Sequence, residues 1–230
     1  MAEEDAGTFQ ELEVGRISGN FFVPRYQRGY RWTEIEVTRL LQDIRDSEGS
    51  TYYLQPIVVK ALGDNRWELI DGQQRLTTLA LIVRYFKTYV PMAEVKYTIK
   101  YETRPLSADF LLEPTKVKAD ENIDFFHMFG AWQAIGMWLD RQDDASTSAF
   151  EIYSALSRRV KVIWYEAPET TDSVELFTRL NVGRIPLTDA ELVKALLLSS
   201  SREVDGTDRA LSVASEWDAI ERDLRDPELW

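Results

Sequence analysis

Apolar residues recur along this chain with two different periods. Alternation or short apolar runs bounded by turn residues mark strands at Phe21-Phe22-Val23, Pro56 to Lys60 and Arg66 to Ile70. The same signal marks Val95 to Tyr101 and a last strand from Val160 to Tyr165. Helical spacing carries Val37, Leu40, Leu41 and Ile44, then Leu76, Leu79, Ala80, Val83 and Phe86. It returns in Phe125, Phe129, Trp132 and Leu139, whose stripe reads as core, and in Val174, Phe177 and Leu180. Further helices are predicted through Phe150 to Arg158, through Leu192, Ala195 and Leu196, and from Arg209 to Leu224.

Start and stop signals sharpen these elements. Capping boxes are predicted at Thr8 with Glu11, Thr33 with Glu36, Asp172 with Glu175 and Thr188 with Glu191. The first opens a short helix through Leu12 and Ile17, and the second a helix to about Asp46. Gly63-Asp64-Asn65 turns one strand into the next, so Pro56 to Ile70 reads as a hairpin. The helix after Arg75 is predicted to run to about Val90, before Pro91, and another spans about Asn122 to Arg141. Gln142 to Ser148 reads as a polar loop, and residues 106–118 carry no decisive pattern. Strands and helices both recur along the chain, and the expected fold class is α+β: a small mixed β-sheet surrounded by helices, with a helix-rich C-terminal half.

The hairpin delivers Ile70-Asp71-Gly72-Gln73-Gln74-Arg75 to the start of a helix. A glycine-containing turn there exposes backbone N–H groups at the positive end of the helix dipole, a ready site for phosphate. A carboxylate, two amides and a guanidinium within five residues exceed what a plain turn needs. Upstream, Pro24-Arg25-Tyr26-Gln27-Arg28-Gly29-Tyr30-Arg31-Trp32 interleaves three arginines with three aromatic rings. It reads equally as a surface loop with rings packed inward and as a pocket whose arginine forks hold phosphate oxygens while rings stack on bases. Arg25, Tyr30, Arg31 and Trp32 are the candidates for DNA contact.

Composition removes other chemistries. The 230 residues carry a formal charge of −12, which argues against a surface coated in basic residues for indiscriminate DNA binding but leaves room for a local basic pocket. There is no cysteine, so disulfides, thiolate-bound zinc and a cysteine nucleophile are excluded. The single histidine, His127, reads as a polar helix position rather than a base or ligand, and it excludes a nuclease centre built from several histidines. No P-loop, Gly-x-Gly-x-x-Gly or Ser-His-Asp set is present. No apolar run approaches the ~20 residues of a membrane helix, and the acidic start Met1-Ala2-Glu3-Glu4-Asp5 lacks a secretory pattern, so a cytoplasmic location is expected.

What remains is polar clusters at element ends: Tyr26-Gln27-Arg28; Asp71 to Arg75 with Thr77 and Thr78; and Arg179-Leu180-Asn181 with Gly183 and Arg184. Nucleotide hydrolysis needs phosphate charges neutralised and a water placed. Arg28 and Arg75 suit the first task, Gln73 and Gln74 the second, and Asp71 could hold Mg²⁺ or the water. Taken singly, Asp71 also reads as a helix cap and Arg75 as a first-turn surface residue.

The set Pro24-x-Tyr26-Gln27-Arg28-x-Tyr30-x-Trp32, Ile70-Asp71-Gly72-Gln73-Gln74-Arg75-Leu76-Thr77-Thr78-Leu79 and Phe177-x-x-Leu180-Asn181 resembles one family. It is the DGQQR-motif domain at the N-terminus of GmrSD-type modification-dependent restriction enzymes, also found in phosphorothioate-sensing SspE proteins. Tyr101-Glu102-Thr103-Arg104 and Trp217-x-x-Ile220-Glu221 extend the resemblance over nearly the whole chain.

The resemblance implies a core similar to ParB and sulfiredoxin, here about 8–101 and 159–198 with a helical insert at about 106–158, in one domain over 1–230. In that fold a Gly-x-x-Arg turn touches nucleotide phosphates, and Gly72 to Arg75 matches it. It implies binding and hydrolysis of GTP or ATP with Mg²⁺, coupled to sensing modified DNA. Asp71, Gln73, Gln74 and Arg75 would form the catalytic group, and Tyr26, Gln27, Arg28, Gly72, Thr77, Thr78, Asn181 and Arg184 would line the nucleotide pocket. A C-terminal nuclease domain usual in the family is expected to be absent from this chain or supplied by a partner protein, consistent with the lone histidine and the apolar end at Leu229-Trp230. A non-hydrolytic binding module and an interaction scaffold are the rival readings, and a homodimer stays open.

Overall fold

The structure, a computed structural model, describes residues 7–181 and Glu216. Among these residues it is an α+β fold with one mixed six-stranded sheet and seven helices. The strands are β1 (Thr8–Glu13), β2 (Gly19–Val23), β3 (Tyr52–Ala61), β4 (Arg66–Asp71), β5 (Tyr97–Tyr101) and β6 (Val160–Ala167). Their order across the sheet is β1-β6-β3-β4-β2-β5. Two pairings are antiparallel, β1 with β6 and β3 with β4; β3 with β6, β2 with β4 and β2 with β5 are parallel. The helices are α1 (Glu34–Asp46), α2 (Gln73–Phe86), α3 (Leu106–Leu112), α4 (Lys116–Ala119), α5 (Ile123–Asp140), α6 (Ala145–Arg158) and α7 (Ser173–Asn181).

Side chains alternate along a strand, so the central strands β3, β4 and β6 feed two cores. Val59 and Leu69 join the large core with Leu41 and Ile44 of α1, Leu76 and Leu79 of α2, Ile135 and Trp138 of α5 and Ile152 of α6. Their neighbours Val58 and Ile70 join a smaller cluster with Tyr26 and Phe177, which α7 covers. The α5 stripe is core, as its pattern predicts: Phe125, Met128, Ala131, Ile135 and Leu139 are buried, and Phe129 and Trp132 flank them half-buried. No helix among the described residues is long and apolar enough to cross a membrane.

The predicted hairpin forms, with Val58 opposite Asp71. The Thr33 box also forms: Thr33 Oγ1 accepts from the Ile35 N–H, and Glu36 accepts from the Thr33 N–H at 2.7 Å. Asp172 caps α7 by accepting from the N–H groups of Val174 and Glu175.

Four expectations change. Thr8 to Ile17 is not a helix: Thr8–Glu13 is an edge strand and Val14–Arg16 a single 3-10 turn. A capping box is worth about 1 kcal/mol. Against it stand six backbone pairs with β6, the Phe9–Tyr165 stack at 4.3 Å and the Glu11–Lys161 ion pair. β3 starts at Tyr52, upstream of Pro56, because Pro56 falls at a register irregularity where a missing N–H costs no ladder bond. α6 starts at Ala145, with Asp144 accepting from the Thr147 N–H at 2.8 Å, so part of the supposed polar loop is a helix first turn. α2 ends at Phe86 and the chain reaches Val90 through turns. Residues 106–118, whose sequence carries no decisive pattern, contain α3 and the start of α4. The helices predicted beyond residue 181 lie outside the described residues, apart from Glu216, which is helical.

Candidate functional site

β4 ends at Asp71, and Gly72 turns the chain into α2 with φ +105°. An L side chain rarely adopts that φ, and a Cβ there would also press on Ile57 at 3.0 Å. No side chain caps α2, and the first N–H groups of a helix have no intrahelical acceptor. The first turn therefore presents positive potential where the motif lies.

Arg75 is 6% exposed and held on two sides. Its Nη2 donates to Asp71 Oδ2 and its Nη1 to Gln55 Oε1, both at 2.9 Å. Gln73 is also buried, donating to the Tyr101 hydroxyl at 3.1 Å and accepting from Gln74 Nε2 at 2.7 Å. Gln74 Nε2 donates as well to the Gly29 carbonyl at 2.9 Å, and its Oε1 accepts from the N–H of Arg31 at 2.8 Å and of Trp32 at 3.3 Å. Thr77 and Thr78 are fully buried. Thr77 shares a hydrogen bond with Tyr101; Thr78 donates to the Gln74 carbonyl and so accepts from Tyr30, 2.8 Å away.

These bonds fasten the 24–32 loop to the motif. Gln27 Nε2 donates to the carbonyls of Leu69 and Ile70, at the end of β4. Tyr26 donates to Glu68 Oε1 at 3.2 Å and packs on Phe177 of α7 at 5.1 Å between ring centres. Ser173, at the start of α7, donates to the other Glu68 oxygen at 3.0 Å. The structure thus brings Tyr26, Gln27, Asp71, Gln73, Gln74 and Arg75 together. Arg28 is exposed at the loop tip. Asn181 ends α7 and donates back to the Phe177 carbonyl at 2.7 Å, while Arg184 lies outside the described residues.

The DNA-contact candidates are placed by protein partners. Arg25 pairs with Glu102 through backbone N–H and guanidinium. Arg31 Nη1 lies 2.6 Å from Asp124 Oδ1, and Arg104 Nε 2.9 Å from Asp124 Oδ2. Tyr30 is fully buried and presents no ring face to a base; Trp32 is half-buried. Asp124 and Gln55 escape a reading from sequence because neither belongs to a motif: Gln55 lies on β3, 20 residues before Arg75, and Asp124 on α5, 93 residues after Arg31.

Burial raises the hydroxyl pKa of Tyr26, Tyr30 and Tyr97 and pushes Tyr101 up to about 12, with hydrogen bonds from Thr77 and Gln73 opposing the shift at Tyr101. An unfolded tyrosine loses its proton near pH ~10 while these keep theirs, so unfolding releases protons above that pH. Stability is expected to be unaffected by these groups below about pH 10 and to fall as pH rises toward 12; a flat denaturation midpoint between about pH 9 and 11 would contradict this burial.

Among the described residues no group of three or more His, Cys, Asp or Glu could hold a metal. Asp71, with one oxygen on Arg75, fits Mg²⁺ only in the shared form in which one carboxylate adds to water and substrate phosphates. A family model described as the N-terminal domain of the GmrSD restriction endonuclease matches residues 9–198. The chain belongs to this GmrSD N-terminal-domain family. The match takes in every strand except the first residue of β1, all seven helices and both polar motifs. A comparison with curated proteins finds no match. The GmrSD family is one of restriction systems, which makes the chain a defence-related module.

Proposed function

We propose that this GmrSD-family domain binds and hydrolyses a nucleoside triphosphate and couples that reaction to recognition of modified DNA. The carrying observation is the Arg75 guanidinium, oriented by Asp71 and Gln55 at the start of α2. Helix-terminal N–H groups and a positioned guanidinium together suit a phosphate chain. Arg28 at the loop tip would add a second positive charge, and Asp71 would share Mg²⁺ with the phosphates; the bound ion would neutralise charge developing at the reacting phosphoryl group. Gly72 to Arg75 would act as the phosphate turn of a ParB-like core over about 8–101 and 159–198, with α3 to α6 in the insert. Asn181 and Arg184 would close the pocket, and Arg25, Arg31 and Trp32 would lie toward DNA. A nuclease domain or partner protein would receive the signal.

The test is release of phosphate from GTP and ATP with Mg²⁺. Arg75→Ala is expected to lower turnover about a hundredfold, the scale of losing one preorganised charge contact. Equal turnover in the two proteins rejects the reading.

A second reading, binding without turnover, is favoured by the two amides. Gln73 and Gln74 hold Tyr101, each other and the 24–32 loop, so water placement would require them to exchange partners. A melting midpoint raised by nucleotide with no product released would select it.

A further inference from the structure

The polar group beside Arg75 that no motif contains is Gln55. β3 pairs Leu54 with Val162 and Ile57 with Trp164, so Gln55 and Pro56 together stand opposite Ile163 alone. One extra residue on one strand is a β-bulge, a device that re-aims side chains and is enriched beside active sites. Pro56 suits it, having no N–H to lose from the ladder. The extra residue lets both Leu54 and Ile57 enter the large core. Gln55 is turned outward and exposed, beyond the point where Val58 meets Asp71. From there its Oε1 accepts from Arg75 Nη1 at 2.9 Å, while Asp71 takes Nη2.

The two acceptors differ in a way that bears on a phosphate. Two fixed acceptors on two Nη atoms set the plane of a guanidinium. Asp71 does so with a negative charge; Gln55 does so with a neutral amide. A carboxylate at position 55 would hold the same fork, but it would cancel the arginine charge and face any incoming anion. An amide orients the guanidinium and keeps the positive charge.

We propose that Gln55 is a positioning residue: it holds Arg75 for phosphate from the solvent side without neutralising it. This rests on the nucleotide reading above, and the experiment separates the two. GTP and ATP with Mg²⁺ are the probes, with wild type, Gln55→Ala and Gln55→Glu; the free proteins are compared by melting and by the Arg75 guanidinium NMR signal. Gln55→Glu is expected to melt like wild type; Gln55→Ala removes this acceptor from Nη1 of the buried Arg75, so its kinetics are compared at equal folded fraction. Gln55→Glu should raise KM about tenfold or more with kcat changed far less, because the added charge opposes nucleotide binding. Gln55→Ala should lower kcat/KM severalfold and sharpen the Arg75 signal through added motion. If wild type neither binds nor hydrolyses nucleotide while Gln55→Ala still mobilises Arg75, the nucleotide reading fails and the positioning role stands. If Arg75 is unmoved in Gln55→Ala, or Gln55→Glu keeps the wild-type KM in a protein that turns over, the proposal is overturned.

Discussion

Asp124→Ala is expected to destabilise the fold by about 3–5 kcal/mol, the cost of removing one partner from a buried ion pair. The Asp124 side chain is 1% exposed, and the arginines on its two oxygens, Arg31 and Arg104, are 12% exposed. Those distances, 2.6 and 2.9 Å, put both guanidinium charges against one carboxylate in a region that water cannot screen. Alanine withdraws the offsetting charge from both. Asp124 also sits in the first turn of α5, where a negative side chain complements the helix dipole. Gly29 packs so closely against the carboxylate that a Cβ at that position would collide with it. Asp124→Asn keeps the shape and loses the charge, so it should cost less than alanine. Denaturant midpoints at unchanged m-value would measure both. A loss below about 1 kcal/mol for alanine would mean the network is solvated and the buried-pair account is wrong. Because Arg31 belongs to the 24–32 loop, nucleotide binding should weaken in step with stability.

What was legible in the sequence follows the range of the interaction that decides each element. The Thr33–Glu36 box, the Asp172 cap, the hairpin turn at Gly63-Asp64-Asn65 and the strand-to-helix bend at Gly72 are fixed by neighbours within a few residues, and the structure has each of them. β1 departs from the predicted helix because its local box competes with a strand partner about 150 positions away. Pro56 resembles a strand start in sequence because a bulge cannot be seen in one strand alone. The α+β class and the aromatic core of α5 were legible from periodicity. In the site, the meeting of the two polar motifs was legible only as a guess about convergence. The bonds that achieve it, Gln27 to β4 and Gln74 to the loop, span more than 40 residues. Asp124 and Gln55 carried no local signal, one being an ordinary first-turn acid and the other a lone amide before a proline.

The same geometry gives Gln74→Ala its expected outcome: loss of about 2–4 kcal/mol of stability before any effect on chemistry. Gln74 uses both ends of its amide on the backbone of the 24–32 loop, donating to Gly29 and accepting from Arg31 and Trp32. Truncation strands one carbonyl and two N–H groups that are part-buried, and each orphaned group costs roughly 1–3 kcal/mol, less where water can reach it. Gln74→Glu should fail as well, since a carboxylate oxygen would replace the donor that now meets the Gly29 carbonyl and Gln73 Oε1. With the clamp gone, the amides of Arg31 and Trp32 should exchange with solvent faster than the global opening rate. A water-orienting Gln74 predicts the opposite order: turnover lost in a protein that melts like wild type and protects both amides. Hydrogen exchange at those two positions, measured beside phosphate release at equal folded fraction, separates the clamp from the catalyst.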